Sequence, residues 1–288
     1  MQNKYYILES SYKNNNKNIN KKYYVTIINN YEAEEYIINI GGINIKCITI
    51  QIPYKSNQGV ILDISYYEKC SIKDKLKKNK DMVHLIKCSL IFTLNHFPQI
   101  TSFILSDNSY IEYNNKTRLS LAELYYIKYK KTWYEKMFNA IPEKKEKYKE
   151  IKINIDKILN KKLKLDTNTF LEAYYNRQMD NIEIINTVRE NYKKNMTLKS
   201  FFEKMMKYEC SYYSIIFMIF IQNQLKGSNW IIKINDIANY NSECNLIPLE
   251  KPLFEHRKIN NISLIERRHR DYSIEMERYY NQKNKFNK

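Results

Sequence analysis

The chain has 288 residues, a formal net charge of +17, 27 tyrosines and only 4 glycines. This length accommodates one large domain or two small ones. The excess of lysine and arginine predicts a surface that attracts polyanions such as nucleic acid, acidic membrane surfaces or phosphate-bearing cofactors. Lys, Asn, Ile and Tyr dominate throughout, so AT-rich coding DNA is an alternative cause of the charge.

Five cysteines are scattered along the chain without a CxxC pair: Cys47, Cys70, Cys88, Cys210 and Cys244. Their odd number and the lack of a secretory signal favour a reducing, cytoplasmic location, where most serve as small apolar side chains. The longest purely apolar run, residues 215–221, is far shorter than the roughly 20 residues of a membrane-spanning helix. These features predict a soluble protein without a membrane span.

The first fifty residues predict β-strands, because Tyr, Val, Thr and Ile are concentrated at 22–28, 36–40 and 43–50. Gly41 and Gly42 separate two of these strands. They predict a two-residue hairpin, since both turn positions favour a positive φ. The Asn-rich segment 10–20 predicts a polar, mobile loop.

A cassette of alternating elements follows between residues 59 and 142. Its predicted members are a strand at 59–67, a basic loop at 69–80, an amphipathic helix at 81–97 and a second strand at 100–105. Asp81 is a good residue for the first turn of the helix, and Pro98 stops it. Ser120 and Glu123 have the spacing of a capping box, which predicts one helix from Ser120 to about Phe138.

The chain after Pro142 is predicted to be mostly helical, which places a domain boundary there, between 1–142 and 143–288. The predicted elements are helices at 151–159, 167–191, 197–227 and 262–280, a strand at 230–234 that returns to the sheet, and a loop at Pro248 and Pro252. The fold class predicted is therefore α+β.

The cassette and the strands before it resemble the GNAT family of N-acetyltransferases over residues 23–138. In that family a central strand leads into a turn of the type Arg/Gln-x-x-Gly-x-Gly/Ala. This turn opens a helix whose N-terminal amides bind the pyrophosphate of coenzyme A. The resemblance implies a mixed or antiparallel sheet with flanking helices. In composition the chain also resembles proteins of large cytoplasmic DNA viruses, which implies a location in the host cytoplasm or the virion.

The resemblance implies acetyl-CoA as the cofactor and assigns residues to it. The turn corresponds to residues 75–81 and has no glycine, so its lysines would bind the phosphates as point charges. The implied cofactor-binding residues are Lys75, Lys77, Lys78, Asn79 and Lys80. Tyr134 matches the tyrosine that serves as the general acid in this family and protonates the departing thiolate. Glu68 and Asp63 are candidate bases by their position near the central strand. The alternative for Trp133, Tyr134 and Phe138 is an aromatic core cluster.

The basic C-terminal stretch supports a different function. Its arginines and lysines would neutralise phosphates while neighbouring tyrosines stack on unpaired bases; the candidate residues are Arg267, Arg268, Arg270 and Lys283. A solvated helix with a disordered tail is the alternative. His84 and Cys88 stand one helical turn apart, a spacing that can hold a metal, but no second pair accompanies them and no metal site is predicted.

The sequence predicts an acetyltransferase-like protein of the acyl-CoA-binding type with weak or lost catalysis. The alternatives are a nucleic-acid-binding or virion-associated structural protein that uses the basic surface, and an adaptor that binds other proteins through the helical C-terminal region. An enzyme would need a V-shaped gap between the two strands of the cassette, with the amides of residues 77–82 pointing into it.

Overall fold

The computed structural model describes residues 3–14, 17–72, 75–77, 80–113, 117–175, 182–208, 220–221, 224–225, 227–238 and 243–253. The chain divides into two units, Met1–Glu250 and Lys251–Lys288, and every element named below lies in the first. The predicted basic helix at 262–280 therefore falls outside the described residues, and the predicted boundary at residue 142 stays a prediction.

Eleven strands are present among the described residues. They are β1 (Lys4–Asn14), β2 (Lys17–Asn30), β3 (Glu35–Gly41), β4 (Lys46–Pro53), β5 (Gln58–Ile64), β6 (Ser102–Asp107), β7 (Tyr110–Tyr113), β8 (Thr117–Ser120), β9 (Ile141–Pro142), β10 (Ser228–Lys233) and β11 (Glu243–Leu249). A short 3₁₀ helix, Glu68–Cys70, follows β5.

Eight α-helices are described. They are α1 (Lys80–His96), α2 (Leu121–Tyr129), α3 (Trp133–Phe138), α4 (Lys145–Leu159), α5 (Thr167–Tyr175), α6 (Ile182–Asn191), α7 (Leu198–Met205) and α8 (Ile234–Ala238). Within the described ranges, every helix is too short or too polar to span a lipid bilayer.

The protein is a mixed α/β structure built on one nine-stranded sheet. The strand order is β11-β1-β2-β3-β4-β5-β6-β10-β9, and β7 and β8 form a separate pair. Neighbours are antiparallel except β5 and β6, which are parallel. A parallel pair needs a crossover connection, and α1 lies within it. The predicted helix from Asp81, the strand at 100–105 and the returning strand at 230–234 are confirmed.

Helix α1 lies along β1 on one face of the sheet. The Tyr6 ring contacts the rings of Phe92 and His96, with centroids 5.7 and 5.1 Å away. The Tyr12 ring packs on His84, 4.1 Å away. Residues early in β1 therefore meet the end of the helix and residues late in β1 meet its beginning, so the two run antiparallel.

The prediction of a polar loop at 10–20 is wrong. β1 and β2 form a long hairpin, paired from Lys4 and Ile27 to Asn14 and Lys17. Ser10 and Lys21 are buried opposite each other in this ladder. Paired backbone satisfies its own hydrogen-bonding groups whatever the side chains are, so the Asn-rich composition did not prevent strand formation.

The glycines at 41 and 42 do not make the predicted two-residue turn. Gly41 pairs with Lys46, so residues 42–45 connect the strands, and neither glycine has a positive φ. A Cβ on Gly41 would lie 2.2 Å from the Ile45 carbonyl oxygen, and one on Gly42 would lie 2.0 Å from the Lys69 carbonyl oxygen. Close backbone approach, not turn conformation, requires these glycines.

The single helix predicted from Ser120 to Phe138 is two helices. Ser120 is the N-cap residue of α2, but its side chain makes no capping bond; Glu123 Oε1 instead accepts from the Leu225 N–H at 2.5 Å. α2 ends where Lys130 adopts the left-handed region, with φ of 58°. Thr132 then starts α3 in a capping box with Glu135. The predicted capping box was therefore placed one helix too early.

Two further predictions in the C-terminal half are corrected. The helix predicted to run from Thr197 to Gly227 ends at Met205, although Thr197 caps it as expected. Pro248 lies in β11 rather than in a loop, opposite Tyr6. β11 is an edge strand, where a residue without an N–H is tolerated. The helix predicted to begin at residue 167 does begin there, and Asp166 caps it, since its Oδ1 accepts from the N–H groups of Asn168 and Thr169.

Candidate active site

The parallel strands β5 and β6 separate at their C-terminal ends. Their pairing runs from Gln58 and Ser102 to Ile61 and Leu105. β5 continues to Ile64 paired only with β4, and β6 continues to Asp107 paired only with β10, among the described residues. The carboxyl ends of two parallel strands thus diverge, which is the place where open α/β sheets bind ligands.

Asp107 ends β6 at this divergence and is buried, with 1% of its surface exposed. Its Oδ1 accepts hydrogen bonds from the backbone N–H and the hydroxyl of Ser109. Its Oδ2 is buried without a hydrogen-bond partner among the described residues. Burial raises the pKa of Asp107 to about 6, against the lowering effect of the bonds from Ser109. A carboxylate of this kind exchanges protons close to neutral pH.

Tyr134 belongs to the same site. Burial raises the pKa of its phenol well above the usual value, and the carboxylates of Asp107 and Asp63 raise it further. Tyr134 is 4% exposed and packs edge-on against Trp133, with ring centroids 4.9 Å apart. Tyr134 is thus part of the aromatic core cluster that the alternative predicted, and its role as an acid stays a prediction.

Asp63 lies in β5 beyond the residues that pair with β6. It is exposed, and both of its carboxylate oxygens accept from the Ser65 hydroxyl, at 3.0 and 2.9 Å. Asp63 and Asp107 are linked to Tyr134 by their effect on its pKa, which both carboxylates raise. Asp107 was missed in the sequence, where the one available signal was an acidic residue just beyond an apolar strand.

Glu68 and Lys75, predicted as base and phosphate ligand, contact each other. The Lys75 ammonium lies 2.8 Å from Glu68 Oε2, and both side chains are more than half exposed. The Leu76 N–H also donates to the Glu68 carbonyl, and the Tyr66 hydroxyl donates to the Leu76 carbonyl at 2.8 Å. This segment is folded back on residues 66–68 and held by the buried Leu76 side chain.

A carboxylate of the protein itself occupies the basic turn. Asp81, 3% exposed, accepts from the Lys77 N–H at 2.8 Å and from the Tyr12 hydroxyl. Lys21 Nζ lies 3.9 Å from the same carboxylate and donates to the Lys75 carbonyl. One backbone amide and one buried ammonium, the groups that an anion would use at this helix start, are thus already engaged.

The start of α1 is also displaced from the gap. Its contacts are Tyr12 of β1 and Lys21 of β2, and two strands, β3 and β4, separate β2 from β5 in the sheet. The Lys77 amide therefore faces Asp81 beneath β1 and β2, not the space between β5 and β6. Lys80 begins α1, and Lys78 and Asn79 fall outside the described residues, as do Arg267, Arg268, Arg270 and Lys283.

Cys47 and Cys70 form a disulfide that ties the start of β4 to the 3₁₀ helix after β5. The expectation that most cysteines are apolar fillers does not hold for these two. Their spacing of 23 residues carries no local signal, because only the fold brings the two segments together.

Two open surface depressions lie away from the gap, one on the last turns of α4 and one beside the β4–β5 turn. The described residues contain no cluster of three or more His, Cys, Asp or Glu side chains that could hold a metal ion. Comparisons with protein families, curated proteins and solved structures gave no match to this chain.

Proposed function

We propose that this chain is an acetyltransferase-like protein of the acyl-CoA-binding type with weak or lost catalysis. The observation that carries the proposal is the order β5, basic turn, α1, β6, with the one parallel pair among the described strands ending at Ile61 and Leu105. A strand, turn, helix and strand in this order, with diverging strand ends, is the arrangement that the GNAT resemblance implies.

The residues at the gap suit a proton-transfer pair. Asp107 would act as the base in place of Glu68, because it is buried, its charge raises the pKa of Tyr134, and it has one oxygen without a hydrogen-bond partner in the described structure. Tyr134 would act as the acid. The raised pKa of its phenol makes it a reluctant proton donor to a departing thiolate, which supports weak catalysis.

The state of the basic turn also supports weak catalysis. Coenzyme A carries a pyrophosphate, and Asp81 holds a negative charge at the amide and ammonium that would receive one. The lysine at 75 is paired with Glu68. Acetyl-CoA would therefore have to displace a buried carboxylate, which it does only at a large cost in affinity.

The test uses the variant Asp81→Asn, which removes the charge and keeps the side-chain volume. We expect acetyl-CoA to leave the melting temperature of the natural protein nearly unchanged and to raise that of Asp81→Asn, since a ligand at about 100 times its dissociation constant adds roughly 2.7 kcal/mol to stability. Asp156→Asn, which removes an exposed charge paired with Lys130, is the matched control.

ATP distinguishes a coenzyme site from general phosphate affinity. If ATP and acetyl-CoA raised the melting temperature of Asp81→Asn equally, the turn would be an anion site without acyl-CoA recognition. If neither ligand raised it, the proposal that this turn derives from a coenzyme site would fail. If acetyl-CoA, but not ATP, raised the melting temperature of the natural protein itself, the natural protein would have a working coenzyme site. Acetyl transfer would then be measured in the natural protein and in Tyr134→Phe.

A second candidate function, polyanion binding, is favoured by lysines set against tyrosine rings on α2, α3 and α4. Lys136 Nζ lies 3.2 Å from the centre of the Tyr129 ring, and Lys128 Nζ lies 5.3 Å from it. Both lysines are exposed, as is Tyr129. Basic side chains beside exposed aromatic rings are the elements that bind single-stranded nucleic acid.

Oligonucleotide binding at several salt concentrations tests this candidate. Each phosphate contact to a single strand contributes about 0.7 to the slope of log affinity against log salt. We expect the double variant Lys128→Gln, Lys136→Gln to lower that slope by about 1.4. Lys199→Gln, on α7, removes a lysine that pairs with Glu203 and is expected to leave the slope unchanged. Equal slopes in all three proteins would exclude this surface.

A further inference from the structure

A second pair of sulfur atoms lies close together where α1 meets the edge strand β11. The Sγ atoms of Cys88 and Cys244 are 3.0 Å apart, although the residues are 156 positions apart in the chain. Neither takes part in the Cys47–Cys70 disulfide. A disulfide bond is about 2.0 Å long, so an approach of about 1 Å would join them.

Neighbouring residues hold both sulfurs in place. Cys244 lies opposite Ser10 in the β11–β1 ladder, and the Ser10 hydroxyl is 2.9 Å from His84 Nε2. The same nitrogen lies 3.4 Å from Cys88 Sγ. Burial lowers the pKa of His84 to about 4, so its imidazole is neutral at pH 7 and available as a hydrogen-bond partner of the thiol.

We propose that Cys88 and Cys244 are a thiol pair that closes to a second disulfide on exposure to a low-molecular-weight disulfide such as oxidised glutathione. Cys244 is half-buried and Cys88 is fully buried, so the Cys244 thiolate reacts first. It attacks one sulfur of oxidised glutathione, forming a mixed disulfide and releasing one glutathione thiolate.

The Cys88 thiolate then attacks Cys244 Sγ and displaces the second glutathione. The two cysteine thiols lose two electrons and two protons, and one molecule of oxidised glutathione takes them up as two glutathione thiols. Dry burial normally makes a thiol unreactive, but here the attacked sulfur is the immediate neighbour of Cys88. Closure therefore needs no access from solvent at the second step.

The cross-link would join the edge strand β11 to helix α1. Among the described strands β11 pairs with β1 alone, and an edge strand held on one side opens more readily than a central one. The bond would fix β11 to α1 one turn from His84 and two turns from Asp81, the residue that closes the basic turn. This inference does not depend on the proposed acyltransferase function.

The test is alkylation of denatured protein after the native protein has been treated with oxidised glutathione and quenched in acid. Before treatment both Cys88 and Cys244 are expected to alkylate, and after treatment neither is. A non-reducing peptide map should then contain the Cys88–Cys244 linked peptide.

Two variants complete the experiment. Cys210→Ser is expected to close as the natural protein does. Cys244→Ser is expected to leave Cys88 as an alkylatable thiol without a glutathione adduct, since its sulfur is buried. A stable glutathione adduct on Cys244 with Cys88 still alkylated, or links that join these residues to Cys47 or Cys70, would overturn the proposal.

Discussion

Replacing Asp107 with Asn should change how stability depends on pH. The carboxyl group is buried, and burial raises its pKa from 3.8 to about 6. The folded state therefore binds this proton more tightly than the unfolded state does. Stability from this group is fully present below pH 4 and is lost as pH rises through 6. The loss is about 3 kcal/mol, because each unit of pKa difference corresponds to about 1.4 kcal/mol.

Asn is uncharged at every pH and keeps an oxygen that can accept from Ser109, as Asp107 Oδ1 does. Urea unfolding at pH 4, 5, 6, 7 and 8 gives the free energy of unfolding of both proteins. We expect the free energy of unfolding of Asp107→Asn to rise relative to that of the natural protein as the pH increases from 4 to 7, by about 3 kcal/mol in total. A difference between the two proteins that stays constant with pH would refute the reasoning, because it would mean that Asp107 titrates normally.

Asp63→Asn is the matched control, since Asp63 is an exposed carboxylate at the same gap. Its substitution should leave the pH dependence close to that of the natural protein. If Asp63→Asn removed the dependence as well, the two carboxylates would titrate as one coupled pair, and the assignment of the base to Asp107 alone would be lost.

Three further substitutions test other parts of the fold. Cys47→Ser should lower the free energy of unfolding by about 3.4 kcal/mol without reductant, from the loop entropy of a 23-residue separation, and urea unfolding with excess reductant should abolish the difference. Gly42→Ala puts a Cβ against the Lys69 carbonyl and should cost about 1–3 kcal/mol; a melting temperature equal to that of the natural protein would contradict the close-packing argument. Thr132→Ala removes the cap of α3 and should cost about 1 kcal/mol by urea unfolding; no loss would mean that packing alone holds this helix.

Local pattern determined a large part of the fold. Apolar residues at helical spacing placed α1, short apolar runs placed β5 and β6, and alternation of apolar residues placed β10. These elements are specified by neighbours in sequence, because a helix or strand face repeats every few residues. The parallel arrangement of β5 and β6 could be expected from the helix between them.

The site could be predicted only in part. Asp107 and Asp63 raise the pKa of Tyr134, but its role as an acid stays a prediction. Glu68 pairs with Lys75, and its role as a base also stays a prediction. Asp107 became a candidate only once its burial was known, since the same residue type at the end of a strand is more often solvated.

Tertiary structure alone decided what the charged and sulfur-bearing residues do. Glu123 accepts a hydrogen bond from an amide 102 residues away. Asp81 meets Tyr12 and Lys21, and Cys47 meets Cys70. The physical reason is that hydrogen bonds, ion pairs and disulfides act over a few ångströms in space and have no sequence period. The sequence by itself determined which segments are helices and strands, and the packing of those segments determined which polar groups face one another.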